Sequence, residues 1–322
     1  MYRSLFALIF LASMITGCSM ADFSASMKAD SYMKSGDYRQ AEMEFRNVVR
    51  ERPESALARY YLARFLLAQD KAGEALPHFQ RAVALEPDDA DYYFWLGLTY
   101  GELGNGKEER ASYETALRLD RRHPQAHLYL GHIQLRNGEL GQALASYDAV
   151  LKEAPTNGAA LYNRALIFDI EKKNQEAKKA WLEYLEWFPA GRHARQATEH
   201  LNTLGDFSYE NHYLGKRTVT LAQITFQREQ VNMSAYPSLR LAGAIAANLT
   251  KGNLQIVVYV DKNSTLARKR AIEIKETLQE QVPELNPNRI RISWFDVPEK
   301  VTIGQKVFVW PESVRIFLTD WQ

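Results

Sequence analysis

Prolines recur at a fixed spacing along the middle of this 322-residue chain. They stand at Pro53, Pro87, Pro155 and Pro189, so the successive gaps are 34, 68 and 34 residues. A proline lacks a backbone N–H and clashes with the preceding helical turn, so each one is expected to end a helix. A unit of this length holds two helices and can bury its apolar face only by stacking on its neighbours. The sequence therefore predicts an α-solenoid.

Small and aromatic side chains keep the same register. The first helix of each unit, helix A, carries a small residue at Ala29, Ala63, Gly97, Gly131 and Ala165. Helix B opens with a small residue in most units, at Ala41, Ala75, Ala143 and Ala177, and carries an aromatic residue at Phe45, Phe79, Tyr113, Tyr147 and Trp181. The pattern resembles the tetratricopeptide repeat. The resemblance implies five repeats and a capping helix over residues 22–205.

The third repeat departs from this pattern. Glu109 replaces the usual alanine, and Arg121 replaces the usual proline. We expect helix B of this repeat to continue through Arg122. Pro124 then becomes the first residue of the next helix, where its missing N–H has no consequence.

The resemblance also implies a protein-binding groove lined by the A helices. In this register its residues are Tyr60, Arg64, Phe94, Leu98, Leu128, His132, Arg136, Tyr162, Leu166 and Asp169. Aromatic and leucine side chains with interspersed basic residues suit an extended or helical apolar peptide of a protein partner. The alternative for each residue is that it packs the inner wall of the solenoid and binds nothing.

The first residues have the pattern of a secretory signal peptide. Arg3 is followed by a predominantly apolar run of ten residues, Leu5–Met14, which is too short to span a bilayer. The sequence Ile-Thr-Gly-Cys then ends at Cys18, the sole cysteine. It resembles the lipobox of bacterial lipoproteins. The resemblance implies a cleaved signal peptide at 1–17 and a lipidated N-terminus at 18–21.

Ser19 follows the cysteine, where an aspartate would favour retention at the inner membrane. The resemblance to lipoproteins therefore implies an outer-membrane location, with several acyl chains giving a stable membrane anchor. An ordinary signal peptide with a chance cysteine is the alternative.

Strand and helix patterns alternate after the repeats. We expect a linker over 206–217 and a small α/β sandwich with one sheet over 218–322. Its strands are predicted at Thr218–Phe226, Leu254–Val260, Arg289–Phe295 and Val314–Thr319. The fold class is thus an α-solenoid followed by an α/β domain.

The segment Asn263–Leu278 resembles the peptidoglycan-associating signature of OmpA-like domains. In that family an aspartate and an arginine hold diaminopimelate of the stem peptide, and the matching residues here are Asp261 and Arg270. A carboxylate suits the ligand's ammonium, and a guanidinium suits its carboxylate. The loop after Asp261 is shorter than in the family, and Pro311–Ser313 replaces its Asn-Arg-Arg run. An internal or surface ion pair is the alternative.

No catalytic or cofactor motif is present. A net charge of +1 provides no field that would attract nucleic acid. His123, His127 and His132 lie close in sequence, but no His-Glu-x-x-His motif or cysteine cluster accompanies them. P-loop, Gly-x-Ser-x-Gly and Gly-x-Gly-x-x-Gly motifs are also missing. We predict a non-enzymatic protein without cofactor, metal or nucleic-acid partner.

With a lipobox-like sequence followed by repeats, the chain resembles the lipid-anchored repeat proteins of similar size that act as pilotins or assembly lipoproteins of type IV and tight-adherence pilus secretins. The resemblance implies an outer-membrane scaffold that binds a secretin or pilus component, with possible cell-wall docking by the C-terminal domain. The alternative function is a peptidoglycan-binding lipoprotein that tethers the wall, with the repeats as a spacer.

Overall fold

A computed structural model describes residues 22–215, 217–227, 230–249, 251–303 and 306–319. The predicted signal peptide (1–17), the predicted lipidated N-terminus (18–21) and Cys18 lie outside the described residues. The chain divides into two compact units between Pro155 and Thr156. Within the described ranges, no helix combines the length and the apolar character needed to cross a membrane.

The first unit consists of helix pairs, as the proline period predicts. Its A helices are α1 (22–35), α3 (Ala56–Leu67), α5 (Ala90–Glu102) and α7 (Pro124–Arg136). Its B helices are α2 (Tyr38–Glu51), α4 (Ala72–Leu85), α6 (Gly106–Leu119) and α8 (Leu140–Glu153). Each of α2 to α7 packs against the next helix along the chain, and α3 also contacts α5. This is the packing of a solenoid, in which each repeat buries its apolar face on its neighbour.

The aromatic ring of helix B fills the space between helices. Phe45, Phe79, Tyr113 and Tyr147 are each at most 1% exposed. The small residues of helix A make room for them. A Cβ atom added to Gly97 would lie 2.7 Å from Cε1 of Tyr113, and one added to Gly131 would lie 3.0 Å from Cε1 of Tyr147. The tyrosine rings therefore lie directly against the glycine backbone.

The turn between helices A and B also repeats. One residue in each turn has a positive φ, at Gly36, Asp70, Gly104, Gly138 and Lys172. Their φ angles lie between 56° and 76°. This left-handed conformation reverses the chain within a few residues and so sets the antiparallel packing of the pair.

The third repeat differs from the sequence expectation. Helix α6 ends at Leu119 and does not continue through Arg122. Asp120 is extended, and its Oδ1 accepts a hydrogen bond from the Arg122 amide at 2.9 Å, which stabilises a turn instead. Pro124 is the first residue of α7, as predicted.

The second unit begins with the last repeat and the predicted capping helix. These are α9 (Gly158–Ile170), α10 (Asn174–Trp187) and α11 (Arg192–Thr203). A small sheet-containing domain follows. Its helices are α12 (Tyr236–Ala247) and α13 (Ser264–Gln281). Its strands are β1 (Tyr209–Leu214), β2 (Arg217–Ala222), β3 (Phe226–Gln227), β4 (Gln230–Val231), β5 (Asn253–Val260), β6 (Ile290–Phe295), β7 (Glu299–Ile303), β8 (Lys306–Trp310) and β9 (Glu312–Thr319).

The strands do not form the single sheet that the sequence predicts. Among the described residues, β5 lies at the centre of a three-stranded sheet, parallel to β6 and antiparallel to β9. The other strands form three antiparallel hairpins, β1–β2, β3–β4 and β7–β8. Helix α13 connects β5 to β6, and its apolar residues share a buried core with Leu254, Ile256 and Val258 of β5. This crossover is the usual way to join parallel strands.

The predicted linker over 206–217 is wrong, because β1 occupies half of it and β2 begins at its last residue. The strand is fixed by contacts distant in sequence. Glu210 accepts a hydrogen bond from the Arg315 guanidinium. The Asn211 side chain donates to the Arg195 carbonyl at 3.0 Å, and His212 Nδ1 contacts the Ile316 carbonyl at 3.3 Å. The segment is therefore part of the second unit's fold.

We expect Gly97→Ala to destabilise the first unit by about 1–3 kcal/mol, because the new methyl group would overlap the buried Tyr113 ring. Urea unfolding monitored by circular dichroism measures the change. Gly106→Ala at the start of α6 is the matched control, since nothing lies within 4 Å of its added Cβ. Equal stability of the two variants would contradict the packing described for Tyr113.

We also expect His212 to make stability depend on pH. Burial lowers the pKa of His212 to about 4, whereas an unfolded histidine titrates near 6.5. Between these values the unfolded chain binds a proton that the folded chain does not, so stability falls as pH falls. The contribution is fully present above about pH 6.5, and roughly 1–3 kcal/mol of it is lost by pH 4.

Urea unfolding at pH 7 and pH 5 tests this prediction. The control is His212→Gln, which keeps an amide donor for the Ile316 carbonyl but does not titrate. The variant should lose less stability than the native chain on acidification. Identical losses would mean that His212 does not contribute to the pH dependence.

Candidate protein-binding site

The ten residues predicted to line the groove all lie on A helices. We call those of each unit the A-helix face of that unit. Seven belong to α3, α5 and α7 of the first unit: Tyr60, Arg64, Phe94, Leu98, Leu128, His132 and Arg136. Three belong to α9 of the second unit: Tyr162, Leu166 and Asp169. Their exposure and contacts divide them into packing residues and accessible residues.

Tyr60 and Phe94 are packing residues. The Tyr60 side chain is 7% exposed, and its ring centroid lies 4.9 Å from that of Tyr92 in the next repeat. Burial raises the pKa of Tyr60 to about 12. Phe94 is 5% exposed and packs against Tyr113 and His123. For these two aromatic residues the burial favours the inner-wall alternative.

Arg64 connects two successive A helices. Its Nη1 donates a hydrogen bond to the Tyr60 hydroxyl at 3.3 Å. Its guanidinium carbon lies 4.4 Å from the ring centroid of Trp95 on α5, within the range of a cation–π interaction. Arg64 as a whole is half-buried, and its Nε is buried.

Leu98, Leu128 and His132 are also half-buried, and Arg136 is exposed. The ring centroid of His132 lies 5.8 Å from that of Tyr147. Burial is the main reason that the pKa of His132 is lowered, which favours the neutral imidazole. The Arg136 guanidinium lies 3.9 Å from a carboxylate oxygen of Glu109. These side chains therefore offer accessible apolar and basic contacts in the first unit.

In the second unit, two of the three predicted groove residues have partners within the fold. The ring of Tyr162 packs against Trp181 at 5.1 Å. Asp169 Oδ2 accepts a hydrogen bond from Trp181 Nε1 at 2.8 Å and lies 2.7 Å from His200 Nδ1. Leu166 is half-buried. Asp169 therefore satisfies the indole N–H of a buried tryptophan, and its role in the groove stays a prediction.

Two residues near Arg64, Trp95 and Asp91, were not predicted. Trp95 holds its guanidinium, and Asp91 Oδ1 lies 3.0 Å from His123 Nε2. The amide of Ala126 donates to His123 Nδ1 at 3.2 Å, so this ring nitrogen caps α7 and the other carries the proton. A sequence signal for Trp95 exists, because aromatic residues stand 34 residues apart at Tyr61, Trp95 and Tyr129.

The two predicted peptidoglycan-binding residues have separate surroundings. Arg270 is 7% exposed, its Nη1 donates to Glu312 Oε2 at 2.6 Å, and its guanidinium lies over the Phe226 ring at 4.5 Å. Asp261 donates through its backbone amide to the Pro311 carbonyl at 2.7 Å. The internal ion pair of Arg270 is thus formed with Glu312 rather than with Asp261.

The repeats match the family model for the tetratricopeptide repeat over residues 26–90, 66–127, 102–158 and 128–192. Together these matches cover residues 26–192, just over half of the chain. The chain belongs to the tetratricopeptide repeat family. The match confirms the α-solenoid inferred from the proline period, and proteins of this family bind protein partners.

Similar proteins share the repeats. Over 64 residues the chain is 31% identical to tetratricopeptide repeat protein 1 of Schizosaccharomyces pombe, a match that covers 20% of this chain and 6% of that protein. The structure of PilF from Pseudomonas aeruginosa is similar with a TM-score of 0.51 and 17% identity, over 59% of this chain and 90% of PilF. PilW, a widely conserved type IV pilus biogenesis factor, gives 0.50 and 21%, over 56% and 86%. These structural similarities show the fold alone.

In the described parts of the chain, no group of three or more His, Cys, Asp or Glu side chains is arranged to hold a metal ion. His123 caps a helix, and His127 Nε2 lies 3.0 Å from the Arg121 carbonyl. The histidines that cluster in the sequence therefore have separate roles in this tetratricopeptide repeat. The absence of enzymatic activity stays a prediction.

We expect Asp169→Ala to destabilise the second unit by about 1–3 kcal/mol, because it leaves the Trp181 indole N–H buried without an acceptor. Urea unfolding measures the change. In a Trp181→Phe background the same substitution should cost less, since the indole donor is gone. An equal cost in both backgrounds would show that the hydrogen bond contributes nothing.

Proposed function

We propose that this protein is a lipid-anchored outer-membrane scaffold that binds a protein partner through its A-helix face and takes part in assembling a pilus or a secretin-based secretion machine. The family supplies the coarse part of this function, which is protein binding. The lipid anchor at Cys18, the outer-membrane location and the secretin partner belong to the proposal.

One observation carries the binding site. After the packing residues are set aside, the A-helix face of the first unit still presents Arg64, Leu98, Leu128, His132 and Arg136 on three successive A helices. Half-buried leucines provide apolar contact area, and the arginines and histidine provide hydrogen bonds. This mixture suits a peptide that is held by apolar anchors and oriented by a few polar contacts.

The pilus assignment rests on similarity and on the sequence. PilF and PilW have the same repeat fold, and PilW is a type IV pilus biogenesis factor. The lipobox-like sequence at Cys18 adds a membrane anchor a few residues before α1. A partner-binding repeat array held close to a membrane suits a protein that guides an envelope component during its assembly.

The wall-tethering alternative is weaker. It requires Arg270 to bind a carboxylate of the peptidoglycan stem peptide. That guanidinium already forms an ion pair with Glu312 and lies over Phe226. A ligand carboxylate would have to displace Glu312, so we favour a structural role for Arg270 and protein binding as the main function.

Site-specific photo-cross-linking in cells tests the proposed function. A photoreactive amino acid at Leu128 is expected to form an adduct with a secretin or pilus subunit, identified by mass spectrometry. Leu98→Ser should reduce the adduct at least several-fold, because it removes an apolar contact from the neighbouring helix.

Two controls define the site. The same photoreactive residue at Lys107 on helix B should give no such adduct. Leu119→Ser on α6 is matched to Leu98→Ser, since Leu119 is a partly exposed leucine on helix B, and it should leave the adduct unchanged. Adducts only with proteins unrelated to an envelope machine would refute the assignment.

A further inference from the structure

Arg64 lacks the carboxylate partner that several other arginines of the repeats have. Arg46 pairs with Glu42 and Glu74, and Arg110 pairs with Glu114 and Glu139. Among the described residues, no carboxylate oxygen lies within 4.0 Å of the Arg64 guanidinium. Its Nε is buried and has no hydrogen-bond partner. Arg64 is thus a positioned, half-buried cation without a countercharge in contact.

The surroundings of Arg64 fix the plane of its guanidinium. The Trp95 ring lies on one side at 4.4 Å, and the Tyr60 hydroxyl accepts from Nη1. A planar guanidinium held in this way loses less conformational freedom when it binds a carboxylate. Partial burial also strengthens such a pair relative to one in open solvent.

We propose that Arg64 binds the side-chain carboxylate of an aspartate or glutamate within an extended segment of the protein partner. The inference rests on the proposed function, because it assumes that the A-helix face is the binding surface. An internal residue fits better than a chain terminus because α3 has further A helices on both sides. Ser26 of α1 contacts Tyr61 at 3.0 Å, and α5 also packs against α3.

Asp91 is the competing carboxylate near this position. His123 is the main reason that the pKa of Asp91 is lowered, and the charge of Arg64 also contributes. The Asp91 carboxylate contacts His123 rather than Arg64. Its negative charge would repel an acidic residue of the partner. Asp91→Asn keeps an oxygen acceptor for His123 and removes that repulsion.

Selection and binding measurements on the full-length protein in detergent test the proposal. A phage-displayed library of short random peptides is selected on the native protein and on Arg64→Gln. We expect the native protein to enrich peptides with an aspartate or glutamate at a fixed position beside apolar residues. Arg64→Gln should not enrich that acidic residue.

A synthetic peptide from the selection then gives the decisive measurement. Replacing its acidic residue with the corresponding amide should weaken binding to the native protein about tenfold or more, as measured by fluorescence anisotropy. The same replacement should have no effect on binding to Arg64→Gln. Asp91→Asn should bind the acidic peptide about two- to threefold more tightly than the native protein does.

Controls separate binding from folding. Arg118→Gln removes one positive charge from an exposed residue of helix B and should leave the discrimination unchanged. Circular dichroism checks that Arg64→Gln is folded. If it is not, Arg64→Lys keeps the charge without the planar guanidinium, and the discrimination should fall several-fold.

Three results would overturn the proposal: no acidic preference, equal discrimination by Arg64→Gln, or no peptide selected at all. Selected peptides that bind without an acidic preference would refute only the role of Arg64. A clear acidic preference, together with cross-links to proteins outside any envelope machine, would refute the proposed function instead.

Discussion

The fold of the repeats depends on one contact, between the aromatic ring of helix B and the small residue of helix A. Phe45, Phe79, Tyr113, Tyr147 and Trp181 are all essentially inaccessible to solvent. Each such ring buries roughly 150–250 Å². At about 25 cal/mol per Å², this corresponds to several kcal/mol per repeat as an upper limit. Loss of this contact would therefore weaken the packing of helix A against helix B within a repeat, to which other buried residues such as Leu62, Phe65 and Leu66 also contribute.

In the first four repeats, the ring of helix B and its small neighbour in helix A vary together. Both repeats with a tyrosine at this position have a glycine in helix A, at Gly97 and Gly131, whereas the phenylalanine repeats have alanine. The close approach of the tyrosine rings to the glycine backbone explains this pairing. Trp181 stands opposite alanine in the register, and its indole N–H instead reaches Asp169. The residues that surround the ring of helix B therefore differ from one repeat to the next.

Periodicity predicted the helices well because it depends on local rules. Proline positions, small residues and turns repeat at the same spacing, so the helix pairs and the first residue of α7 followed from the sequence. The solvent exposure of the residues on the A-helix face did not follow from the sequence. Tyr60 and Phe94 have the register of groove residues, but Tyr92 and His123 pack against them. A repeat pattern places a residue on a face without giving the size of the neighbour that covers it.

The C-terminal domain was harder to predict because its contacts join distant segments. Arg315 on β9 binds Glu210, which lies 105 residues earlier, and Glu299, which lies 16 residues earlier. These two pairs connect β1 and β7 to the last strand. When the contacts of Arg315 are not known, the sequence of residues 206–217 resembles a polar linker. Arg270 likewise pairs with Glu312 across 42 residues, which no local signature describes.

His123 connects the start of α7 to the charges near Arg64. It stands at the N-cap position of α7, which Ser55, Asp89 and Asn157 occupy in α3, α5 and α9. Its Nδ1 accepts from the Ala126 amide, so the proton must lie on Nε2, which faces Asp91. The charge of Arg64 also lowers the pKa of Asp91, so the two side chains are close enough to interact. The Asp91 carboxylate nevertheless contacts His123 rather than Arg64. A histidine at this N-cap position therefore bears on the electrostatics of the neighbouring A-helix face.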